Sequence, residues 1–181
     1  MVEERIGYRY AKSVFALAKE KNLLEKMHDD MAMIQEVIGE NHDLKMMIES
    51  PIVNMSVKER VLEGVFGKHY KSELAQMFVN MITRKGREMY LPQIASSFLK
   101  LYDEEKGIIR GTLTSATPLD AKQATEIQKA LTEKTGKTFI IEEEVNPDLI
   151  GGFQLKIGDD LYDGSVSGSL KRLKKSFSKV N

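Results

Sequence analysis

The 181-residue chain contains no cysteine. This absence excludes disulfide bonds and thiolate metal sites, and it fits a reducing compartment. The chain also lacks an excess of charge of either sign, because 27 acidic residues balance 27 basic ones. A nucleic-acid-binding protein usually carries a basic excess, so this balance argues against nucleic acid as a partner.

The sequence has no long hydrophobic run either. Its apolar stretches are far shorter than the roughly 20 residues that a membrane-spanning helix requires. The first residues include Glu3 and Glu4 and lack the apolar segment of a secretory signal, and their acidity also argues against a transit peptide. We therefore expect a soluble protein on the cytoplasmic side, whose hydrophobic content of 41% suffices for a packed core.

Helical periodicity dominates residues 1–106, where we predict six short helices. The second of them, for example, places Met27, Met31 and Ile34 on one face. Residues 56–59 read as a capping box that opens the fourth helix. Short helices with brief connections predict a helical bundle domain.

The periodicity changes at residue 107, where a second domain covering 107–181 is predicted to begin. A strand rich in β-branched residues, a helix from Asp120 to Gly136, a second strand and a hairpin indicate a small α/β domain with a mixed sheet. A closing helix ends this domain, so the fold class of the whole chain is predicted as α+β. Four apolar residues of the closing helix are expected to be buried: Val166, Leu170, Leu173 and Phe177.

Three aspartates in the predicted hairpin, Asp159, Asp160 and Asp163, match the Asp-Asp-x-x-Asp pattern that binds magnesium diphosphate in isoprenoid synthases. In that pattern the carboxylates converge on one ion from a long helix face. Gly158 and Gly164 flank the run here and disfavour such a helix. A hairpin turn followed by a helix cap is the favoured interpretation, and a magnesium-dependent diphosphate-binding enzyme is kept as an alternative.

No other residues suggest catalysis. The histidines His28, His42 and His69 are scattered through the helical half and do not show the spacing of metal ligands. Gly151 and Gly152 precede a strand, whereas a phosphate-binding glycine run should open a helix. We therefore predict no catalytic residue, no metal site and no cofactor.

Two predicted helices are apolar over a wider arc than one core contact needs. At ~100° per residue, the apolar residues of the first helix span roughly 200°, and the fifth helix is similar, whereas docking on one core needs little more than ~100°. The excess indicates either deep burial or a groove for a partner helix, and methionine suits an adaptable surface of that kind. Six residues are expected to line such a groove: Ile6, Tyr10, Ser13, Leu17, Met77 and Met81.

The C-terminal part of the chain carries a characteristic series of motifs. In order, these are Gly151-Gly152, an apolar strand, Gly158-Asp159, an apolar pair, Asp163-Gly164-Ser165, Leu170 and Leu173. The series resembles the C-terminal signature of the δ subunit of bacterial F-type ATP synthases, a family related to the mitochondrial oligomycin-sensitivity-conferral protein. Two positions depart from it, because the family often has arginines where this chain has Ser167 and Ser169.

Motifs in the helical half extend the resemblance to nearly the whole chain. They are Arg9-Tyr10-Ala11 with Phe15, Ser50-Pro51-Ile52 with Lys58, and Arg84-Lys85-Gly86-Arg87 leading to Leu91-Pro92. Each motif alone is weak, but their order and spacing together are specific.

This resemblance implies a non-catalytic stator subunit that links the catalytic head to the peripheral stalk, so that rotor torque drives ATP synthesis coupled to proton transport. It implies that residues 1–106 bind the N-terminal helix of an α subunit and that residues 107–181 bind the peripheral-stalk b subunits. It further implies a peripheral location on the cytoplasmic side of the cell inner membrane, with membrane contact only through the complex. An unrelated helix-binding scaffold is the remaining hypothesis.

Overall fold

A computed structural model describes residues 2–118 and 120–177 of the chain. The described residues form eight α-helices, two short 3-10 helices and one four-stranded sheet. They divide into two compact units, Met1–Asp103 and Glu104–Asn181. The first unit is helical, whereas the second contains the mixed sheet and a closing helix, as the sequence predicts for an α+β chain.

Six of the α-helices precede the first strand within the described chain. They are α1 (Val2–Glu20), α2 (Leu24–Glu40), α3 (His42–Glu49), α4 (Met55–Phe66), α5 (Glu73–Arg84) and α6 (Leu91–Lys106), and a 3-10 turn at Glu88–Tyr90 precedes α6. Their buried faces build one apolar core, which includes Ala11, Ala18, Met27, Met31, Ile34, Phe66, Ile82, Ile94 and Phe98. The division between the units falls inside α6, a few residues before the predicted boundary at 106/107.

The start of α5 is held by two caps. The Ser72 hydroxyl accepts a hydrogen bond from the backbone N–H of Ala75 at 3.1 Å, which satisfies one of the free donors of the first turn. The Asp30 carboxylate of α2 accepts from the backbone N–H groups of Lys71 and Ser72, at 2.7 and 3.0 Å. The entry of α5 is therefore anchored to another helix of the same unit.

Helix α4 begins earlier than the sequence predicts. Asn54 is its N-cap, and the Asn54 side chain accepts from the backbone N–H of Ser56 at 3.2 Å, so that Met55 is already helical. The capping box predicted for residues 56–59 is therefore wrong. The helix begins earlier because Asn54, which lies two residues before Ser56, is as good an N-cap residue as serine.

Lys58 occupies the core side of α4, where it forms a buried ion pair. Its ammonium group lies 2.6 Å from Glu88 Oε1 and donates to the carbonyl oxygen of Ile48 at 2.7 Å. The Lys58 and Glu88 side chains are only 5% and 8% exposed. The pair therefore links α4 to the end of α3 and to the 3-10 turn, in surroundings where an unpaired charge would be costly.

The second unit is a mixed sheet with two helices. Its elements are β1 (Ile108–Ser115), α7 (Ala121–Thr135), β2 (Thr138–Val145), β3 (Phe153–Ile157), β4 (Asp160–Asp163) and α8 (Val166–Phe177). The strand order is β2-β1-β3-β4, with β1 parallel to β2 and the two other pairings antiparallel. The parallel pair needs a crossover, which α7 supplies.

Helix α7 begins and ends at the residues that the sequence predicts, Asp120 and Gly136. The Asp120 side chain accepts from the Gln123 backbone at 2.8 Å, and the Gln123 side chain accepts from the Asp120 backbone at 3.1 Å, which completes a capping box. Gly136 then ends the helix in the left-handed conformation, with φ of 68°.

The closing helix α8 does not bury the residues that its periodicity predicts. Val166 is 44% exposed and Leu170 is 54% exposed, so the prediction of their burial is wrong. Ser165 and Gly168 are buried at this end instead. Gly168 packs directly against the Asp163 carboxylate, which a Cβ at this position would overlap. The side chains of Leu173 and Phe177, which were also predicted to be buried, lie outside the part that the structure describes.

Candidate partner-binding groove

A groove of about 380 Å³ opens on the first unit between α1 and α5. Its lining is almost entirely apolar and comes from four residues of each helix: Tyr10, Ser13, Val14, Leu17, Leu74, Met77, Phe78 and Met81. A concave apolar surface between two helices has the shape that accepts a third amphipathic helix.

The wide apolar arcs of α1 and α5 explain why the groove exists. On α1, Ala11 and Ala18 are fully buried in the core, while Leu17 lies on the outer side and is exposed. On α5, the core side carries Ala75, Val79 and Ile82, all buried, whereas Leu74, Met77, Phe78 and Met81 line the groove. One part of each apolar arc thus packs in the core, and the other part lines the groove.

The structure brings five of the six predicted residues together. Tyr10, Ser13, Leu17, Met77 and Met81 all line the groove. The sixth, Ile6, is half-buried and is not among the lining residues. Their role in binding a partner stays a prediction at this point.

Sequence reasoning left out three lining residues: Val14, Leu74 and Phe78. Val14 and Phe78 are nearly fully buried and form the floor of the groove, so they contact the core and the groove at once. The helical pattern places Val14 on the side of Tyr10 and Leu17 and places Leu74 on the side of Met77 and Met81, but it does not show which nearly buried residues form the floor. The signal that could have found them is the spacing of four residues from Tyr10 to Val14 and from Leu74 to Phe78.

The groove continues into a second depression of about 370 Å³, which changes from apolar to basic. Its lining residues are Met77, Asn80, Met81, Arg84 and Lys85. The two methionines are shared with the apolar groove. We call the three cations at this end, Arg84, Lys85 and Arg87, the basic end of the groove.

Each cation of the basic end has a different environment. The guanidinium of Arg84 pairs with Glu59, with Nε 3.1 Å from Oε1. The guanidinium of Arg87 donates to the Tyr10 hydroxyl and lies 5.7 Å from the centre of the Tyr10 ring. Lys85 is exposed and forms no ion pair with any residue that the structure describes.

The three aspartates of the hairpin do not converge on one point. Asp160 and Asp163 begin and end β4, where an odd spacing places side chains on opposite faces of the strand. The Ser165 hydroxyl and backbone N–H donate to the Asp163 carboxylate, at 2.6 and 2.9 Å, and hold its pKa below the usual range. Across residues 2–118 and 120–177, no group of three His, Cys, Asp or Glu side chains is placed to hold a metal. This geometry favours the interpretation as a turn and helix cap.

Comparison with known proteins identifies the family. The family model described as ATP synthase delta (OSCP) subunit matches residues 6–177. The chain belongs to the ATP synthase delta (OSCP) subunit family. Delta (OSCP) subunits are non-catalytic stator components of the F-type ATP synthase. Among the described helices, none is both long and apolar enough to cross a membrane.

Similar proteins cover almost the same length as this delta (OSCP) chain. The ATP synthase subunit delta of Chlorobaculum tepidum is 36% identical over 168 residues, which cover 93% of this chain and 92% of the relative. That of Geotalea uraniireducens is 33% identical over 173 residues, 96% of each chain. A chain of the cryo-EM structure of the Toxoplasma gondii mitochondrial ATP synthase hexamer matches with a TM-score of 0.73 and 26% identity, covering 94% of this chain and 96% of its own. The family resemblance and the non-catalytic assignment are therefore confirmed.

Ser167 and Ser169, where the family resemblance leads us to expect arginines, form side-chain hydrogen bonds at the start of α8. The hydroxyl of Ser169 donates to the Ser165 carbonyl at 3.1 Å and accepts from Arg172 at 2.9 Å. The Ser167 hydroxyl lies 3.2 Å from that of Ser165. A guanidinium group is thus present beside the start of α8, although it comes from Arg172.

Proposed function

We propose that this chain joins the catalytic head of an F-type ATP synthase to its peripheral stalk. Its first domain, the six-helix bundle of residues 1–106, binds the N-terminal helix of an α subunit. Its second domain, residues 107–181, binds the b subunits. The chain is located peripherally on the cytoplasmic side of the cell inner membrane and contacts the membrane only through the complex.

The groove between α1 and α5 is the observation that carries this proposal. Leu17 and Met77 are exposed on this almost entirely apolar surface. A docked helix would remove their exposed apolar area from water. Apolar side chains spaced three and four residues apart on a partner helix can enter the groove between α1 and α5. Met77 and Met81 can adjust to the partner because the methionine side chain is flexible.

Apolar burial suits the mechanical task of a stator. The rotor would drag the head round unless the peripheral stalk held it, so the joint must dissociate slowly under load. Affinity differences among related complexes lie mostly in the dissociation rate, whereas charges at the rim act mainly on association. A groove with an apolar floor therefore meets the requirement better than a charged surface would.

The second unit has exposed apolar residues that support a separate partner. Ile150, Val166 and Leu170 are all exposed. A Cβ added to Gly151 would lie 3.2 Å from the Val166 side chain, so the turn at Ile150 adjoins the start of α8. These residues favour an apolar contact, and we assign it to the stalk b subunits.

Calorimetric titration of the full chain with the N-terminal peptide of the α subunit from the same organism tests the proposal. We expect one peptide to bind per chain and to become helical on binding, which circular dichroism detects. A peptide with the same composition but scrambled apolar positions is the control and should not bind. Failure of the native peptide to bind a folded chain would refute the assignment of the groove.

A further inference from the structure

We propose that the basic end of the groove holds an acidic side chain of the docked helix, with Lys85 as the main contact. The inference rests on the function proposed for the groove and adds the chemistry that the partner must present there. The partner helix then needs an apolar stripe and at least one carboxylate beside it.

The charges of the groove differ between its two ends. Tyr10 contacts Arg87, which follows the C-terminus of α5, so this end of α1 lies beside the basic end. The other end of the groove lies at Leu74, the first lining residue of α5, and the exposed Glu73 precedes it in the first turn of this helix. A helix in the groove therefore meets cations at one end, whereas the other end has no basic residue among its lining residues.

Lys85 is the cation left for a partner. Glu59 already pairs with Arg84, and Tyr10 already engages Arg87, whereas Lys85 pairs with no residue of the described ranges. A simpler explanation is that Lys85, as the C-cap residue, complements the dipole of α5. That role predicts an effect on stability, whereas docking predicts an effect on affinity that depends on the charge of the partner.

The test uses the full chain with two peptides. One is the N-terminal peptide of the α subunit, and the other is the same peptide with its acidic residues changed to the corresponding amides. Lys85→Glu should weaken binding of the first peptide about tenfold at low salt, since charge reversal replaces attraction by repulsion at the rim. The loss should shrink at high salt, and binding of the amide peptide should change far less.

A matched control separates this effect from net charge. Lys45, an exposed lysine on α3 that does not line the groove, is changed to Glu, and both peptides should then bind as they bind the original chain. Thermal unfolding of both variants shows whether either change alters the fold. Equal effects of Lys85→Glu and Lys45→Glu, or equal effects on the two peptides, would overturn the inference while the groove proposal stood. If the native N-terminal peptide contains no acidic residue in its own sequence and still binds, the inference is overturned as well, and absence of any binding by the native peptide would refute both proposals.

Discussion

Changing Met77 to glutamate tests the groove most directly. Met77 is 69% exposed, so the free energy of unfolding should change by no more than about 0.5 kcal/mol. Complete burial of a methionine is worth about 1.5–3 kcal/mol. The exposed fraction therefore contributes ~1–2 kcal/mol once a partner covers it. A carboxylate left unpaired under the partner costs about another 1–3 kcal/mol.

The affinity for the α-subunit peptide should therefore fall by at least ~2 kcal/mol, which is about 30-fold in Kd. Titration calorimetry measures this loss, and urea or thermal unfolding of the same variant measures stability.

Two variants bracket the expected result. Met46 is 59% exposed on α3 and does not line the groove, so Met46→Glu should change neither stability nor binding. Phe15 packs edge-on against the buried Phe98, with ring centres 5.5 Å apart, so Phe15→Glu should unfold the first unit. The reasoning is refuted if Met77→Glu binds the peptide as tightly as the original chain. It is also refuted if that variant unfolds as readily as Phe15→Glu.

Three further outcomes are expected. Lys58→Met should lower the free energy of unfolding by about 3–5 kcal/mol because it leaves Glu88 charged and buried, and a second change, Glu88→Leu, should restore most of the loss in a urea titration. Ile150→Gly should raise the melting temperature, because a φ of 66° costs a β-branched residue ~1–3 kcal/mol of strain, more than the ~0.5–1 kcal/mol of extra glycine entropy. A fragment that ends at Glu105 should remain soluble and helical by circular dichroism, because the first unit has its own core; an unfolded fragment would contradict this.

Features set by neighbouring residues could be predicted from the sequence. Asp120, Gln123 and Gly136 determine both ends of α7 through contacts within the helix or directly beside it, so the letters alone indicate its bounds. The α+β class follows in the same way, since the change from a helical to a strand period near residue 107 is local.

Features set by distant residues could not. Lys58 and Glu88 are 30 residues apart, and nothing around either residue shows that they meet in the core. The first turn of α8 is similar, because burial of Gly168 depends on the position of Asp163 rather than on helical periodicity. The groove could be predicted only in part. The apolar arcs of α1 and α5 are wider than one core contact needs, which indicates additional apolar surface, but only the packing shows that Val14 and Phe78 form the floor of the groove.

Helix α5, which forms one side of the groove, is fixed at both ends by hydrogen bonds. At its start, the Asp30 carboxylate accepts from two backbone N–H groups, and burial raises the pKa of this carboxyl group. At its end, the backbone N–H of Arg87 donates to the carbonyl oxygen of Ile82 at 3.1 Å, after a turn in which Gly86 has φ of 64°. A preformed wall needs little ordering when a partner binds, so less of the binding free energy is spent on reorganisation. The proposed joint would dissociate slowly, because dissociation exposes the apolar surface of the groove to water.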